Sequence, residues 1–217
     1  MLAVCSGSPV ETKVVSITLM SPLQIKNKLV VEAANGWELN SIGSNYAFLQ
    51  RMPGAPFADV AYYVESITLS LPHQIKSALC SFGADGWAVG GVGSNFAFYK
   101  RGRNQPLVAR EYDMESVTLR GIRSIKRLLE KRSDTGWALC AMGRNFAFFE
   151  RVRDKDGKPI EWEHKSVASK LVSITLKTPQ QLQEALEREG AEGWHICGIG
   201  ASYMFLRKVR ESGGTQS

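Results

Sequence analysis

The apolar and polar positions of this 217-residue chain repeat four times. Each repeat opens on a short segment in which apolar and hydroxyl residues alternate, a period that is typical of a strand with two unlike faces. In the first repeat, we predict that Val15, Ile17 and Leu19 lie on one face of a sheet. Ser16 and Thr18 then lie on the opposite face.

A helix is predicted directly after each of these strands. In the first repeat, apolar residues recur at helical spacing over positions 23–33. Ser21 and Pro22 supply a capping hydroxyl followed by proline, which is favoured at the first helical position, and Thr178 and Pro179 do the same in the fourth repeat. Each helix is expected to stop at a Gly-Trp pair, because glycine accepts the left-handed backbone that ends many helices.

Two more strands follow the Gly-Trp pair in every repeat. In the first two repeats they are joined near Gly-Ser-Asn, which becomes Gly-Arg-Asn in the third and Gly-Ala-Ser in the fourth. Such a composition suits positive backbone angles. In the second repeat, Phe96 and Phe98 alternate with Ala97 and Tyr99, so the third strand is apolar on both faces and is expected to be central in its sheet. The tryptophan is expected to be a buried anchor between the end of the helix and the sheet.

The Gly-Trp pairs set the register of the repeats, with separations of 50, 50 and 57 residues. We therefore predict an α+β fold of four tandem β-α-β-β units, with largely antiparallel sheets, one helix packed on each sheet, and pseudo-symmetry between the units. The predicted units are 11–62, 63–112, 113–169 and 170–210. One unit alone would bury too little apolar surface, so the units must share cores, either in pairs or as one assembly.

The helix ends resemble a small bacterial family of domains of unknown function whose hallmark is GAEGWELV. The fourth repeat matches it best, with Gly190-Ala191-Glu192-Gly193-Trp194-His195-Ile196, and the second has Gly83-Ala84-Asp85-Gly86-Trp87. The first and third repeats depart from it, with Ala33-Ala34-Asn35 and Ser133-Asp134-Thr135 before their Gly-Trp pairs. The resemblance implies four copies of one fold, and no functional residue can be transferred from it because the family has no assigned activity.

Composition places the chain among ordinary globular proteins, with 44% hydrophobic and 22% charged residues. No apolar run approaches the roughly 20 residues of a membrane-spanning helix, so an integral membrane protein is excluded and no membrane partner is expected. The apolar start, 1–5, is too short for a signal peptide. Cys80, Cys140 and Cys197 lie in apolar runs and no C-x-x-C pair occurs, so we expect reduced thiols in an intracellular protein, cytoplasmic by default.

No recurrent catalytic or metal-binding pattern is present in the sequence. His73, His164 and His195 occupy unrelated positions in different repeats, and the acidic residues form no repeated pair. Phosphate-binding loops, nucleophile elbows and H-E-x-x-H are also missing. We predict a protein that is not an enzyme and holds neither metal nor cofactor, while a small-ligand site in one divergent repeat stays open.

Charge is the remaining functional signal, with a formal net charge of +6 and a pI near 9.2. The second and third repeats carry +5 of this charge. In the helix of the third repeat, basic residues are predicted on one side and Ile122, Ile125, Leu128 and Leu129 on the other. That basic stripe consists of Arg120, Arg123, Lys126, Arg127 and Lys131.

A second basic feature recurs where the third strand of each repeat ends, at Arg51, Arg101, Arg151 and Lys208. Basic residues beside aromatic strands are typical of surfaces that bind single-stranded nucleic acid. We predict that the central repeats bind RNA or single-stranded DNA. The predicted contacts are Arg101, Arg103, Arg120, Arg123, Lys126, Arg127, Lys131, Arg151 and Arg153.

The alternative is a protein-interaction scaffold or an oligomeric structural protein that does not bind nucleic acid. Four copies without chemistry build a broad docking surface, and exposed sheet edges favour self-association. The two hypotheses differ in salt dependence, because phosphate contacts release counterions and apolar docking does not.

Overall fold

The structure, a computed structural model, describes residues 10–53, 59–68, 70–93, 95–104, 106–143, 145–154, 158, 167–175, 177–200 and 202–209. Four helices and twelve strands lie in these residues. None of the helices in these ranges is long and apolar enough to cross a lipid bilayer.

Every unit has the predicted order of strand, helix, strand, strand. The first contains β1 (Glu11–Ser16), α1 (Pro22–Ala34), β2 (Glu38–Ile42) and β3 (Tyr46–Arg51). The second contains β4 (Val60–Ser66), α2 (Pro72–Ala84), β5 (Ala88–Val92) and β6 (Phe96–Gly102). The third contains β7 (Arg110–Ser116), α3 (Ile122–Ser133), β8 (Ala138–Met142) and β9 (Phe146–Val152). The fourth contains β10 (Val167–Ser173), α4 (Pro179–Ala191), β11 (His195–Ile199) and β12 (Tyr203–Val209).

Each unit forms its own antiparallel sheet, in which the third strand is central as predicted. The strand orders are β1-β3-β2, β4-β6-β5, β7-β9-β8 and β10-β12-β11. A register shift recurs at the same place in the second strand of each unit, for example between Leu39 and Ser41. The expected unit boundaries at 62/63, 112/113 and 169/170 fall inside β4, β7 and β10.

The four units pack into one closed ring. Each helix contacts the first strand of the next unit, and α4 contacts β1, so the last unit packs on the first. The second strands β2, β5, β8 and β11 contact one another in the same cyclic order. These strands therefore line the axis of the ring, and each sheet with its helix forms one blade. Of the two packing arrangements left open by the sequence, the structure has the single assembly.

The joint between α4 and β1 closes the ring through one main-chain hydrogen bond and two hydrogen bonds of the Gln183 side chain. The Val10 N–H donates to the Gly190 carbonyl at 3.1 Å. Gln183 accepts from the Val14 N–H at 2.7 Å and donates to the Thr12 carbonyl at 2.7 Å. A Cβ at Gly190 would lie only 2.4 Å from the Val10 carbonyl oxygen, so this approach requires glycine.

Neighbouring blades share their hydrophobic cores. The cluster under α1 includes Tyr62 and Phe98 from the second blade, and the cluster under α4 includes Phe48 from the first. The Tyr62 hydroxyl also accepts a hydrogen bond from the Leu39 N–H at 3.2 Å. A blade removed from the ring would therefore expose part of its own core and part of its neighbour's.

The inner strands run in the same direction around the axis. A Cβ at Gly90 would lie 3.1 Å from the Leu39 side chain, and one at Gly91 would lie 2.8 Å from the Ile42 nitrogen. Both pairs advance together along the chain, so β2 and β5 are parallel neighbours. Equivalent segments of the four blades therefore lie at the same end of the ring.

The ring has two chemically different ends. At one end, which we name the turn face, the first strands finish, the helices begin and the hairpins between the second and third strands lie; hydrogen bonds such as Ile17 N–H to the Asn45 carbonyl join these segments. We define it by the described residues within the ranges 16–26, 43–46, 66–76, 93–96, 116–126, 143–146, 173–183 and 200–203. At the other end, the connector end, the helices stop at the Gly-Trp pairs and the third strands finish.

Two expectations about the turns are wrong, and one is confirmed. The glycines before the tryptophans have φ near +80°, as predicted. The described hairpin residues have no positive φ; in the described chain, the only other residues with positive φ are Leu19 and Leu119, both at φ 60°. The alternation of the first strand therefore ends at Ile17, and the backbone then turns Leu19 into solvent instead of placing it on the sheet.

Candidate nucleic-acid interface

The cations at the strand ends stack on the tryptophans of the connector end. The guanidinium carbon of Arg101 lies 4.6 Å from the centre of the Trp87 ring, and that of Arg151 lies 4.6 Å from the Trp137 ring. Arg51 occupies the same place in the first blade. Such contacts are attractive because the face of an indole ring carries negative potential.

The four tryptophans occupy equivalent sites against the cores of their blades, as predicted, but they are less buried than expected. Each ring is half-buried, and the core of its blade packs against it. A cation lies over each of these indoles, so side chains at the surface of the protein cover part of each tryptophan. The sequence repeat predicts that the four tryptophan sites are equivalent. The pattern of hydrophobic residues does not predict that a cation lies over each indole.

The same strand-end cations also bind the ends of the helices. Arg101 donates to the Asp85 carbonyl at 3.1 Å, and Lys208 donates to the Glu192 carbonyl at 2.6 Å. These carbonyls follow the last helical turn, where the helix dipole favours positive charge. The repeated basic position therefore stabilises each blade.

Acidic residues hold the remaining predicted cations of the connector end. Arg151 pairs with Glu111 at 2.7 Å, Arg153 pairs with the same carboxylate, and Arg103 lies 3.6 Å from Asp59. Partial burial acts to raise the pKa of Glu111, but hydrogen bonds from Arg153 and Arg151 outweigh burial and hold the pKa below its usual value. Of the nine predicted contacts, the four at this end are engaged with the protein itself.

The five cations of the α3 stripe are all exposed. Arg120 lies 3.7 Å from Glu115, and Lys126 lies 4.0 Å from Glu130. Arg123, Arg127 and Lys131 have no ion-pair partner among the described residues. The structure thus divides the predicted site into a connector-end group that is used internally and a helix group that faces solvent.

A groove of about 600 Å³ runs along one flank of α3. This flank differs from the one that α2 and α4 use against the next blade, where Gly83 and Gly190 make their close approaches. The groove is lined by Glu115, Arg120, Ser124, Arg127, Leu128, Lys131, Arg132 and Thr135. Four of these eight side chains are basic and one is acidic, so the groove attracts anions.

Arg132 lines the groove but was not among the contacts predicted from the sequence. It lies 2.6 Å from Glu115 and 2.9 Å from Asp113. In the first and fourth blades, the strand position that corresponds to Asp113 is a lysine and the helix position that corresponds to Arg132 is a glutamate. These pairs are Lys13 with Glu32 and Lys170 with Glu189. In the second blade, the pair is Tyr63 with Phe82. An alignment of the repeats five residues before each tryptophan would have revealed this reversal.

Asp113, one of the two acidic partners of Arg132, stays ionised at neutral pH. Partial burial acts to raise the pKa of Asp113, but hydrogen bonds from Lys76 and from the Met114 N–H and the charge of Arg132 lower it below its usual value overall. The reversed pair keeps Arg132 along the groove wall. Arg127 and Lys131, one helical turn apart, then contribute unpaired positive charge beside it.

Burial along α3 only partly follows the sequence prediction. Leu128 and Leu129 are buried as expected, Ile125 is half-buried, and Ile122 is exposed. Ile122 is the first helical residue and follows Gly121, which lacks the side-chain cap present at α1 and α4. The beginning of α3 therefore presents an apolar side chain to solvent next to the basic stripe.

The thiols and the histidine near the axis have no nucleophilic or metal-binding arrangement in the described residues. Burial raises the pKa of Cys197 to about 11 and that of Cys140 well above its usual value, so both thiols stay protonated. Burial and the charge of Arg207 lower the pKa of His195. In the described chain, no group of three His, Cys, Asp or Glu side chains is placed to hold a metal ion. His164 lies outside the described residues.

No protein-family model, curated protein or solved structure matches the chain. The resemblance to the GAEGWELV family therefore stays a prediction from the motif, and function has to be inferred from the ring itself.

Proposed function

We propose that the protein binds the phosphate backbone of RNA or single-stranded DNA along the groove beside α3. The observation that supports this proposal most is the set of exposed cations, Arg123, Arg127 and Lys131, for which the described residues offer no ion-pair partner. Unpaired cations on a rigid element attract phosphates and gain free energy from counterion release. The proposed role is binding and not catalysis.

The chemistry of the groove favours a backbone contact over base recognition. Arg127 and Lys131 are separated by about 6 Å along the helix axis, since each residue advances about 1.5 Å, so the two cations follow one another along a bound strand. Leu128 supplies an apolar wall, and Ser124 and Thr135 supply hydroxyls. The groove contains no exposed aromatic ring for stacking, and we expect affinity to depend little on sequence.

The proposal is narrower than the surface expected from the sequence. Arg101, Arg103, Arg151 and Arg153 are already bound to tryptophan rings, helix ends or carboxylates. A phosphate would have to displace those partners, whereas Arg127 and Lys131 are exposed. We therefore assign the nucleic-acid contact to the α3 group alone.

The experiment is a filter-binding titration of single-stranded RNA and DNA against salt, with the wild type and the variant Arg127→Gln/Lys131→Gln. We expect log Kd to change with log salt in the wild type, and the slope to fall by about 1.4 units in the variant, because each lost phosphate contact to a single strand removes about 0.7. The charge-matched control is Lys28→Gln/Arg188→Gln, which lies on α1 and α4.

An equal salt slope in the wild type and in Arg127→Gln/Lys131→Gln would contradict the proposal. Wild-type protein that binds neither nucleic acid at low salt would also contradict it and would favour the scaffold hypothesis. A parallel chromatographic measurement of the oligomeric state would then be the first test of that alternative.

A further inference from the structure

The turns that end the first strands place leucine side chains entirely in solvent. The Met20 N–H donates to the Ile17 carbonyl at 3.1 Å and closes a four-residue turn whose third residue is Leu19. Arg120 closes the equivalent turn in the third blade, with Leu119 as the third residue. The relative exposure of the two leucines is 101% and 103%, so neither contributes to a core.

Leucine is an unfavourable residue at this position. Both leucines have φ 60°, in the left-handed region where a Cβ is strained and where turns ordinarily use glycine or asparagine. The sequence nevertheless has leucine at the same place in all four repeats, including positions 69 and 176, which lie outside the described residues. Neither local backbone preference nor packing explains a leucine here, so a contact outside the ring is the remaining physical reason.

Other apolar side chains surround these leucines at the same end of the ring. Leu23, Leu71 and Ile122 are exposed within the first helical turn or directly before it. Together with Leu19 and Leu119 they lie on the turn face of three blades. Because the blades are related by rotation about the ring axis, equivalent side chains reach similar heights and can meet one flat surface together.

The net charge of the protein is concentrated on the turn face. The described residues of this face include six basic side chains and no acidic one. They are Lys26, Lys76, Arg120, Arg123, Lys126 and Lys177. Apart from these six residues, the chain contains 21 Lys and Arg against 21 Asp and Glu, so the six account for the formal net charge of +6. Lys76 pairs with Asp113 of the next blade, but Lys26, Arg123 and Lys177 have no ion pair among the described residues.

We propose that the turn face docks on a membrane surface that contains anionic lipids. Exposed leucines at the tips of turns gain free energy by entering the headgroup region, and the surrounding cations are attracted to anionic headgroups. Blades that touch the same surface together add their contributions, since the first contact holds the others nearby. The expectation that the protein has no membrane partner rested on the lack of a spanning segment, which is a different mode of contact.

Charge and side-chain chemistry favour a membrane over other partners. A second copy docking through the same face would bring two positively charged surfaces together. Nucleic acid would match the charge, but aliphatic leucine does not provide the flat ring on which bases stack. The turn face is also distinct from the part of the groove formed by Arg127 and Lys131, so this proposal does not rest on the proposed function.

The test is co-sedimentation with vesicles of phosphatidylcholine alone and of phosphatidylcholine with roughly one-third phosphatidylserine. The variant is Leu19→Gly/Leu119→Gly, because glycine removes the apolar tips and also relieves the backbone strain. We expect the wild type to bind only the anionic vesicles. In the variant, binding should fall by about tenfold or more while the unfolding temperature rises by about 2–4 °C for each leucine replaced. A rise in stability shows that the variant is folded.

The controls separate the possible sources of an apparent interaction. Leu107→Gly removes an exposed leucine at the connector end and should leave vesicle binding unchanged. Inorganic phosphate at the concentration of the lipid headgroups should not compete. Equal vesicle binding by the wild type and the double-glycine variant, or no binding by the wild type, would overturn the proposal. Arg127→Gln/Lys131→Gln should keep vesicle binding. A loss of nucleic-acid binding in that variant would therefore test the proposed function without affecting the test of membrane docking.

Discussion

The two ends of the ring use basic residues in opposite ways. At the connector end, Arg51, Arg101 and Arg151 each lie over a tryptophan ring, and Arg153 shares a carboxylate with Arg151. At the turn face and along α3, exposed cations such as Arg123 have no ion pair among the described residues.

Repetition of a charge along the sequence therefore does not identify a binding site. A basic residue that recurs in every repeat at one place stabilises the common fold, because every blade has the same helix end to satisfy. A basic residue confined to one blade has no such shared duty. The α3 stripe belongs to the second kind, and its helix is the one whose strand-facing ion pair has reversed polarity compared with the first and fourth blades.

Breaking the ring at its closing joint should have the largest effect, because the two ends exist only in the closed assembly. Gly190→Ala would place a Cβ 2.4 Å from the Val10 carbonyl oxygen. This oxygen belongs to the main chain, so it cannot move away without displacing the first strand. We expect a loss of about 3 kcal/mol or more in the free energy of unfolding, measured by urea denaturation. Gly93→Ala is the matched control, since the nearest atom to its Cβ lies at 3.7 Å. Equal stability of the two variants would show that the joint does not hold the ring.

Removing one tryptophan from the connector end should have the next largest effect. Trp137 packs against the core under α3 and lies beneath Arg151. Because the ring is half-buried, we expect Trp137→Ala to cost about 3 kcal/mol, the lower end of the range for large aromatic truncations. Thermal unfolding measures the loss. A cost below about 1 kcal/mol would mean that the tryptophan is not the anchor of its blade.

Acid should reveal a smaller contribution from the inner joint between the first two blades. Lys100 lies 3.1 Å from Glu38, and its charge lowers the pKa of that carboxyl against the opposing effect of burial. A carboxyl whose pKa is lower in the folded state stabilises the fold above its unfolded pKa of about 4.3, and this stability is lost as pH falls through the folded pKa. In Lys100→Met, the free energy of unfolding should therefore fall less steeply as the pH is lowered. An unchanged acid profile would rule out the pair as its cause.

The fold was largely predictable because the same pattern of residues occurs four times in the sequence. Element order, the central third strand and the left-handed glycine at Gly36 all follow from periodicity and turn chemistry. Closure was not predictable, because Gly190 and Gln183 meet the first strand at the opposite end of the chain. Local patterns also gave no reason to expect Leu19 in solvent, since alternation alone places it on a sheet.

The site was predictable only in part. Composition and helical spacing locate the α3 stripe, whose Arg127 and Lys131 are exposed. The same charge count wrongly suggests that Arg101 and Arg151 are equally free, because stacking on an aromatic ring cannot be read from charge. Comparing the repeats position by position would separate the shared cations from the single-blade ones.

The most direct test of the contrast between the two groups measures stability and RNA binding for two charge-matched variants. Arg101→Gln/Arg151→Gln removes two stacked cations, and Arg127→Gln/Lys131→Gln removes two exposed ones. We predict that the first variant loses about 1–2 kcal/mol of stability, because each cation–π contact is worth about 0.5–1 kcal/mol, and keeps most of its RNA binding. The second should keep its stability and lose RNA binding. The opposite pattern, with binding lost in the first variant and retained in the second, would contradict the account.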